Sequence, residues 1–462
     1  MTSKASRREF LKSAARLSLA GTATPWALNL AAIGAAAAQT APTDYKALVC
    51  VFMYGGNDHS NTIVPYDAAS YAQYASSRTN LALAQTALLP LATPANASMS
   101  GRQIAMRSEL LPIKTIYDAG KAAVLANVGT MVVPTTMAQY RARSVPLPPS
   151  LFSHNDQQSV WQTYDGRREG ARVGWGGRIG DLMSASNQYR NFTCVSASGT
   201  AVFLSGQSTV QMQIGNNGGL TINGATGNAL YGSSAGPATA RRLMTEERSN
   251  LFEKDYNALV ARSTEAAQTL NAALTGFPAN AAPFNTFPAT GLGNQMRNVA
   301  RMIAARQALG AQRQVFHVSV GGFDQHSGLI NGHGGRMTEL ANAMAAFYNA
   351  TVTLGIADSV TAFTASDFGR TLDSNGEGSD HGWGAHHFVV GGAVKGGELY
   401  GTWPEIVLRG PNDVGRGNLL PTTSVAEYAA TLSQWFGITP AQLTDVIPNA
   451  MNFPQPNLGF MA

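Results

Sequence analysis

The stretch TAFTASDFGRTLDSNGEGSDHGWGAHHFVVGGAVKGG, Thr361 to Gly397, sets the reading of the whole chain. Thr361 to Ala365 is short, apolar and rich in Thr and Phe, the pattern of a buried strand, and it stops at a polar cluster. Asp367 then stands at the carboxyl tip of that strand. A Gly-, Asn- and Ser-rich loop follows, carrying Asp380, His381, His386 and His387, before the apolar run Phe388 to Val390. In open α/β sheets ligands bind outside the carboxyl ends of the strands, so this loop falls where a site is expected. Taken singly, an Asp can cap a turn and a His can be solvated; it is the clustering of both that points to function.

Two further strand ends share this character. KALVCVFMY, Lys46 to Tyr54, is a continuous apolar run, as in a strand covered on both faces. It ends in Gly55-Gly56-Asn57-Asp58, where the glycines let the backbone turn sharply. Asp58 is either an oxygen ligand for a hard cation or part of an ordinary turn. QVFHVSV, Gln314 to Val320, delivers Gly321-Gly322-Phe323-Asp324-Gln325-His326 and so repeats the Gly-Gly-x-Asp pattern. Asp324 and His326, two apart, point the same way if the backbone stays extended. Three strand ends therefore present an acid: Asp58, Asp324 and Asp367. Of the eight histidines, all but His317 lie in loops or at helix starts beside these motifs. Carboxylates mixed with imidazoles, without a cysteine cluster, suit Zn, Mn, Fe, or Ca with unusual ligands. The expected ligand set is Asp58, Asp324, His326 and Asp367 with one or more of His381, His386 and His387.

Between these strands the chain reads as a helix over 103–118, a second buried strand from Lys121 to Gly129, and a helix from His154 to Thr163. Ser153 precedes that helix. It is either an N-cap or a nucleophile held over the partial positive charge of the helix start. Phe192 to Ser196 reads as a strand, and long helices are expected near 240–273, 296–310 and 335–355, with His333 in a Gly-rich turn before the last. Arg370, close to Asp367, either stabilises developing negative charge or pairs with Asp373. Inserts are expected near 78–102 and 206–240, the second as a hairpin. No repeat or long linker divides the chain, so residues 39–462 read as a single α/β domain.

The 462 residues are 44% hydrophobic and 13% charged, a charge content well under the usual ~25%. At the N-terminus, Ser6-Arg7-Arg8-Glu9-Phe10-Leu11-Lys12 reads as a twin-arginine export motif. An Ala- and Leu-rich segment and the small-residue run Ala35 to Ala38 follow it, predicting a signal peptide over 1–38 and the translocation machinery as a partner. Thr22, Thr24, Pro25 and Asn29 interrupt that segment too often for a stable membrane span. Residues 1–38 carry a net charge of +4, so the formal +5 of the chain falls to +1 in the mature protein. No basic run remains to argue for nucleic acid, and a periplasmic or secreted location is expected. Cys50 and Cys194, both in apolar runs, read as buried thiols, with a disulfide as the alternative.

The export motif, GGNDHSNTIVP, GGFDQHSG, SDFGRT and the DHGWGAHH loop together resemble the bacterial domain-of-unknown-function family 1501, related to the alkaline phosphatase and sulfatase superfamily. The resemblance covers nearly the whole chain. It implies a central, largely parallel sheet flanked by helices on both faces, one or two divalent metals, and a nucleophile at a helix start. By position, Asp58 resembles the first metal aspartate, Asp324 with His326 an Asp/His pair, and Asp367 the aspartate of an Asp-His step. His381, His386 or His387 resembles the last histidine. Phe368 stands where a phosphatase has the histidine of that step, and no Cys-x-Pro-Ser-Arg signature is present. The expected function is a metal-dependent hydrolase (Zn, Mn or Ca) of a phosphate or sulfate ester on a small molecule or polymer. The alternative is a non-catalytic binding or assembly protein that keeps a structural metal.

Overall fold

The computed structural model describes residues 44–92, 95–164, 170–222, 224–225 and 228–462. The export-signal reading of residues 1–38 lies outside them. Thirteen strands are described: β1 (Lys46–Met53), β2 (Ile63–Pro65), β3 (Leu88–Pro90), β4 (Ile104–Arg107), β5 (Ala122–Gly129), β6 (Cys194–Ser196), β7 (Met212–Gly215), β8 (Gly218–Gly219), β9 (Arg313–Val320), β10 (Val360–Ser366), β11 (Ala385–Gly391), β12 (Leu399–Tyr400) and β13 (Thr423–Ser424). Ten form the central sheet in the order β12-β5-β11-β10-β1-β9-β6-β7-β8, with β13 also on β5; β2, β4 and β3 form a small separate sheet. Pairings β10-β1-β9-β6-β7 are all parallel. β11, wedged between β10 and β5, runs antiparallel to both, and β8 runs antiparallel to β7 at the edge.

The helices packed on the two sheets include α1 (Ala68–Arg78), α2 (Leu111–Asp118), α3 (His154–Thr163), α4 (Trp175–Met183), α5 (Leu251–Leu274), α6 (Gly291–Ala304), α7 (Leu329–Thr353) and α8 (Val425–Phe436). They cover both faces, and β1 shows why its sequence is apolar throughout. Ala47, Val49, Val51 and Met53 enter one core with α2, α6 and α7, while Leu48, Cys50 and Phe52 enter the other with α3, α4 and α8. Alternate side chains of a strand point to opposite faces, so a doubly covered strand must be apolar at every position. Cys50 and Cys194 are both buried free thiols. No helix among the described residues is long and apolar enough to cross a membrane.

Three local expectations are corrected. The helix expected over 103–118 is instead β4 followed by a short turn and α2, because Ile104-Ala105-Met106 pairs with β2 and β3. Helix α7 begins at Leu329, so His333 lies inside it and not in a turn. His386 and His387 belong to β11 and not to the preceding loop. Buried between β5 and β10, they find partners in the Asn127 N–H (3.0 Å) and the Thr364 hydroxyl (3.2 Å).

Candidate metal centre

In the central sheet Met53 is in register with both Val320 and Ser366. The three acid-bearing loops therefore leave the same edge. A Cβ on Gly55 would lie 2.3 Å from the Asp324 nitrogen, and Gly55 has φ +116°. Only glycine lets the loop after β1 lie against the loop after β9.

Four side chains converge above this edge. Asp324 Oδ1 lies 3.0 Å from His326 Nε2 and 3.3 Å from His381 Nε2, and Asp324 Oδ2 lies 3.4 Å from His154 Nε2. The His326 and His381 Nε2 atoms are 3.0 Å apart. Ligand atoms of His154, Asp324 and His381 all fall within 4.8 Å of one another. The Asp324 and His326 side chains are each 45% exposed, so solvent and ligands can reach the cluster.

The opposite ring nitrogens fix what these imidazoles present. His154 Nδ1 donates to Asp367 Oδ2 at 2.6 Å, His326 Nδ1 to Asp380 Oδ1 at 3.0 Å, and His381 Nδ1 to the Phe152 carbonyl at 2.7 Å. A carboxylate and a carbonyl can only accept, so each Nδ1 carries the hydrogen and each neutral ring offers a lone pair at Nε2. Three lone pairs and a carboxylate then face one another. Such a set repels itself unless a cation or a proton lies among them, and the buried Nε2 of His154 has no hydrogen-bond partner. Histidines held at Nδ1 by a carboxylate or carbonyl, with Nε2 free, have the geometry of oriented metal ligands. The donor set fits a divalent cation.

Charge follows the same pattern. The hydrogen bond that His154 donates to Asp367 raises the His154 pKa above its ordinary value, against the opposing effect of burial. Burial lowers that of His381. For Asp324 burial acts upward, but Arg370 and the neighbouring histidines outweigh it and hold the carboxyl below its ordinary value.

Of the expected ligands, the structure brings Asp324, His326 and His381 together. Asp367 stands just behind, its Oδ2 also accepting from Gln158 Nε2 at 2.8 Å and Gly55 N at 3.3 Å. Asp58 leaves the strand edge as expected but turns to Arg78 at 2.5 Å, both side chains fully buried. His386 and His387, inside β11, are not part of the convergence. His154 was not among the expected ligands; the signal for it was a histidine at a helix start directly after Ser153. Phe368 forms the floor, its ring 4.8 Å from that of His154 and 4.7 Å from that of His381.

Arg370 departs from both of its expected roles. Its fully buried guanidinium donates to Asp324 Oδ1 (3.1 Å), the Gly55 carbonyl (2.9 Å) and the Ser379 carbonyl (2.5 Å), while Asp373 pairs with Arg416. With its donors engaged, it fastens three loops and orients Asp324. Ser153 occupies the N-cap position of α3, yet its side chain makes no capping bond. Just before it, Ser150 (φ 41°) and Phe152 (φ 76°) are non-glycine residues with left-handed backbone. Such strain persists where surrounding contacts fix it, and here the Phe152 carbonyl is held by His381.

No curated protein sequence matches the chain. Among solved structures, a sulfatase from Pseudoalteromonas sp. aligns with TM-score 0.36 and 9% identity over 91% of this chain and 72% of its own. A sulfatase of Bacteroides thetaiotaomicron gives TM-score 0.33 and 11% identity over 88% and 74%. A mutant alkaline phosphatase gives 0.25 and 13% over 72% and 65%. A family described as "Protein of unknown function (DUF1501)" matches residues 45–447, and the chain belongs to that family.

Proposed function

We propose that this protein is an exported metal-dependent hydrolase acting on a phosphate or sulfate ester. One observation carries the reading: three imidazole Nε2 lone pairs and the Asp324 carboxylate converge with every Nδ1 already committed. His154, Asp324 and His381 would hold the ion, with His326 completing the set. Mixed nitrogen and oxygen donors favour Zn or Mn over Ca, which prefers six to eight oxygens. A single ion is supported by the fixed cations nearby, since Arg78 already neutralises Asp58 and Arg370 already contacts Asp324. When bound, such an ion supplies Lewis acidity toward an ester oxygen.

Ser153 is the nucleophile in this proposal. It adjoins the ligand His154, lies at the partial positive end of α3, and has a hydroxyl not engaged in capping. Ser153→Ala is expected to abolish turnover of aryl phosphates and sulfates while metal content and melting temperature stay unchanged. Retained turnover would remove Ser153 from the mechanism.

A non-catalytic role that keeps the metal for structure has one observation in its favour: Phe368 closes the floor where a further ligand could have stood. Turnover of the ester panel with added metal, set against turnover with chelator, separates the two readings.

The arginine pair at residues 7 and 8 supports export through the twin-arginine route to the periplasm or beyond. Arg7→Lys together with Arg8→Lys is expected to trap precursor in the cytoplasm; normal export of that variant would refute the assignment.

A further inference from the structure

The metal centre sits at the carboxyl end of the parallel strands. A second concavity lies at their amino end, beyond β9, where Arg190 and Asn191 precede β6 and Val210 and Gln211 precede β7. It has a volume of about 520 Å³ and is closed on one side by the middle of α5, through Leu259, Arg262 and Ala266. That volume is in the range of small-molecule sites.

Its chemistry is lopsided. Two guanidinium groups, Arg190 and Arg262, line it, and no carboxylate does. Both arginines are exposed, and neither guanidinium has an ion pair or hydrogen bond among the described residues. Asp181 stands behind the wall and is occupied in building it. Its carboxylate accepts from the backbone N–H groups of Gln207 (2.7 Å), Ser208 (3.0 Å) and Thr209 (2.7 Å), and from the Ser208 hydroxyl (2.8 Å). Beside uncharged polar residues such as Asn191, Gln211 and Gln213, the lining holds three large aliphatic side chains, Val210, Leu220 and Leu259, which are 71%, 56% and 47% exposed. Large aliphatic side chains left open in a concavity, beside unpaired guanidinium groups, match a ligand with an apolar body and an anionic group.

We infer that this groove binds a small organic anion, a carboxylate or sulfonate-type group on an apolar carrier, independently of the metal centre. A volume of about 520 Å³ favours a small molecule over a polypeptide partner. Fluorescence titration of the full chain with anilinonaphthalene sulfonate tests this, with neutral phenylnaphthylamine as the uncharged control. One saturable site per chain is expected, unaffected by chelator and weakened by salt. Arg190→Gln combined with Arg262→Gln should weaken it about tenfold, the loss of screened charge-assisted contacts. The paired Lys variants should restore much of the affinity. Both arginines are exposed, so melting temperature should not move, and each single variant provides a fallback. An unchanged dissociation constant in the double Gln variant, or equal binding of phenylnaphthylamine, would overturn the inference. So would arginine-dependent binding of a glutamate-rich peptide that the probe cannot displace, which would reassign the groove to an acidic polypeptide. Because these readouts need no metal, they stand or fall separately from the hydrolase proposal.

Discussion

Asp324→Ala is expected to lower affinity for Zn or Mn by about 100-fold or more, because it removes the one carboxylate on which three histidines converge. Loss of a mere supporting residue commonly costs 10–100-fold, and a ligand should cost at least the upper end of that range. The protein should also lose a metal-dependent rise in melting temperature. A ligand that binds only the folded state contributes about 2.7 kcal/mol when its free concentration is a hundred times its Kd. Asp373→Ala, which removes an exposed partner of Arg416 at 3.5 Å, should change neither quantity. Isothermal titration and thermal melts with and without chelator read both effects. Metal affinity should also fall with pH. His154 ligates only when neutral at Nε2, and its hydrogen bond to Asp367 raises its pKa above the ordinary imidazole value. As pH drops through that raised value a proton competes for the lone pair, so affinity is retained above it and lost below it. A pH-independent affinity between mildly alkaline and mildly acidic solution would remove His154 from the ligand set.

Arg78→Met should cost about 3–5 kcal/mol of folding stability, the usual penalty for leaving a buried charge without its partner. Both members of the Arg78–Asp58 pair are 0% exposed and 2.5 Å apart, and Arg78 also donates to the Thr371 carbonyl at 2.7 Å. That second bond ties α1 to the loop after β10. Adding Asp58→Asn should recover part of the loss, since the amide carries no charge to strand. Denaturant unfolding of the single and double variants measures it; a single-variant cost under about 1 kcal/mol would mean the pair is not sealed from solvent.

The fold was legible because doubly covered strands are written as largely apolar runs: β1 is apolar almost throughout, and β5, β9 and β10 are buried along nearly their whole length with only a few polar residues. Asp324, His326 and His381 were legible because Gly-Gly-x-Asp and a histidine-bearing loop mark strand ends. Asp58 carries the same mark but a different fate, since its partner Arg78 ends a helix twenty residues on, a tertiary pairing that no local pattern announces. His386 and His387 looked like loop residues because imidazoles interrupt the apolar pattern. Their polar partners, the Asn127 N–H and the Thr364 hydroxyl, come from β5 and β10 and can be seen only once β11 is inserted between them. His154 was hidden for the opposite reason: a lone histidine at a helix start has no neighbours in sequence to reveal that its ring meets Asp324 and Asp367. Arg370 read as a free cation beside an acid, while the carbonyls that occupy it come from loops far away in the chain.

The most direct test of the metal centre is anomalous diffraction from crystals of the protein equilibrated with Zn or Mn. A single strong peak per chain is predicted among His154 Nε2, Asp324, His326 Nε2 and His381 Nε2, at ligand distances of about 2.0–2.2 Å. No peak at that position under saturating metal, or a peak bound instead by Asp58, His386 or His387, would contradict the account.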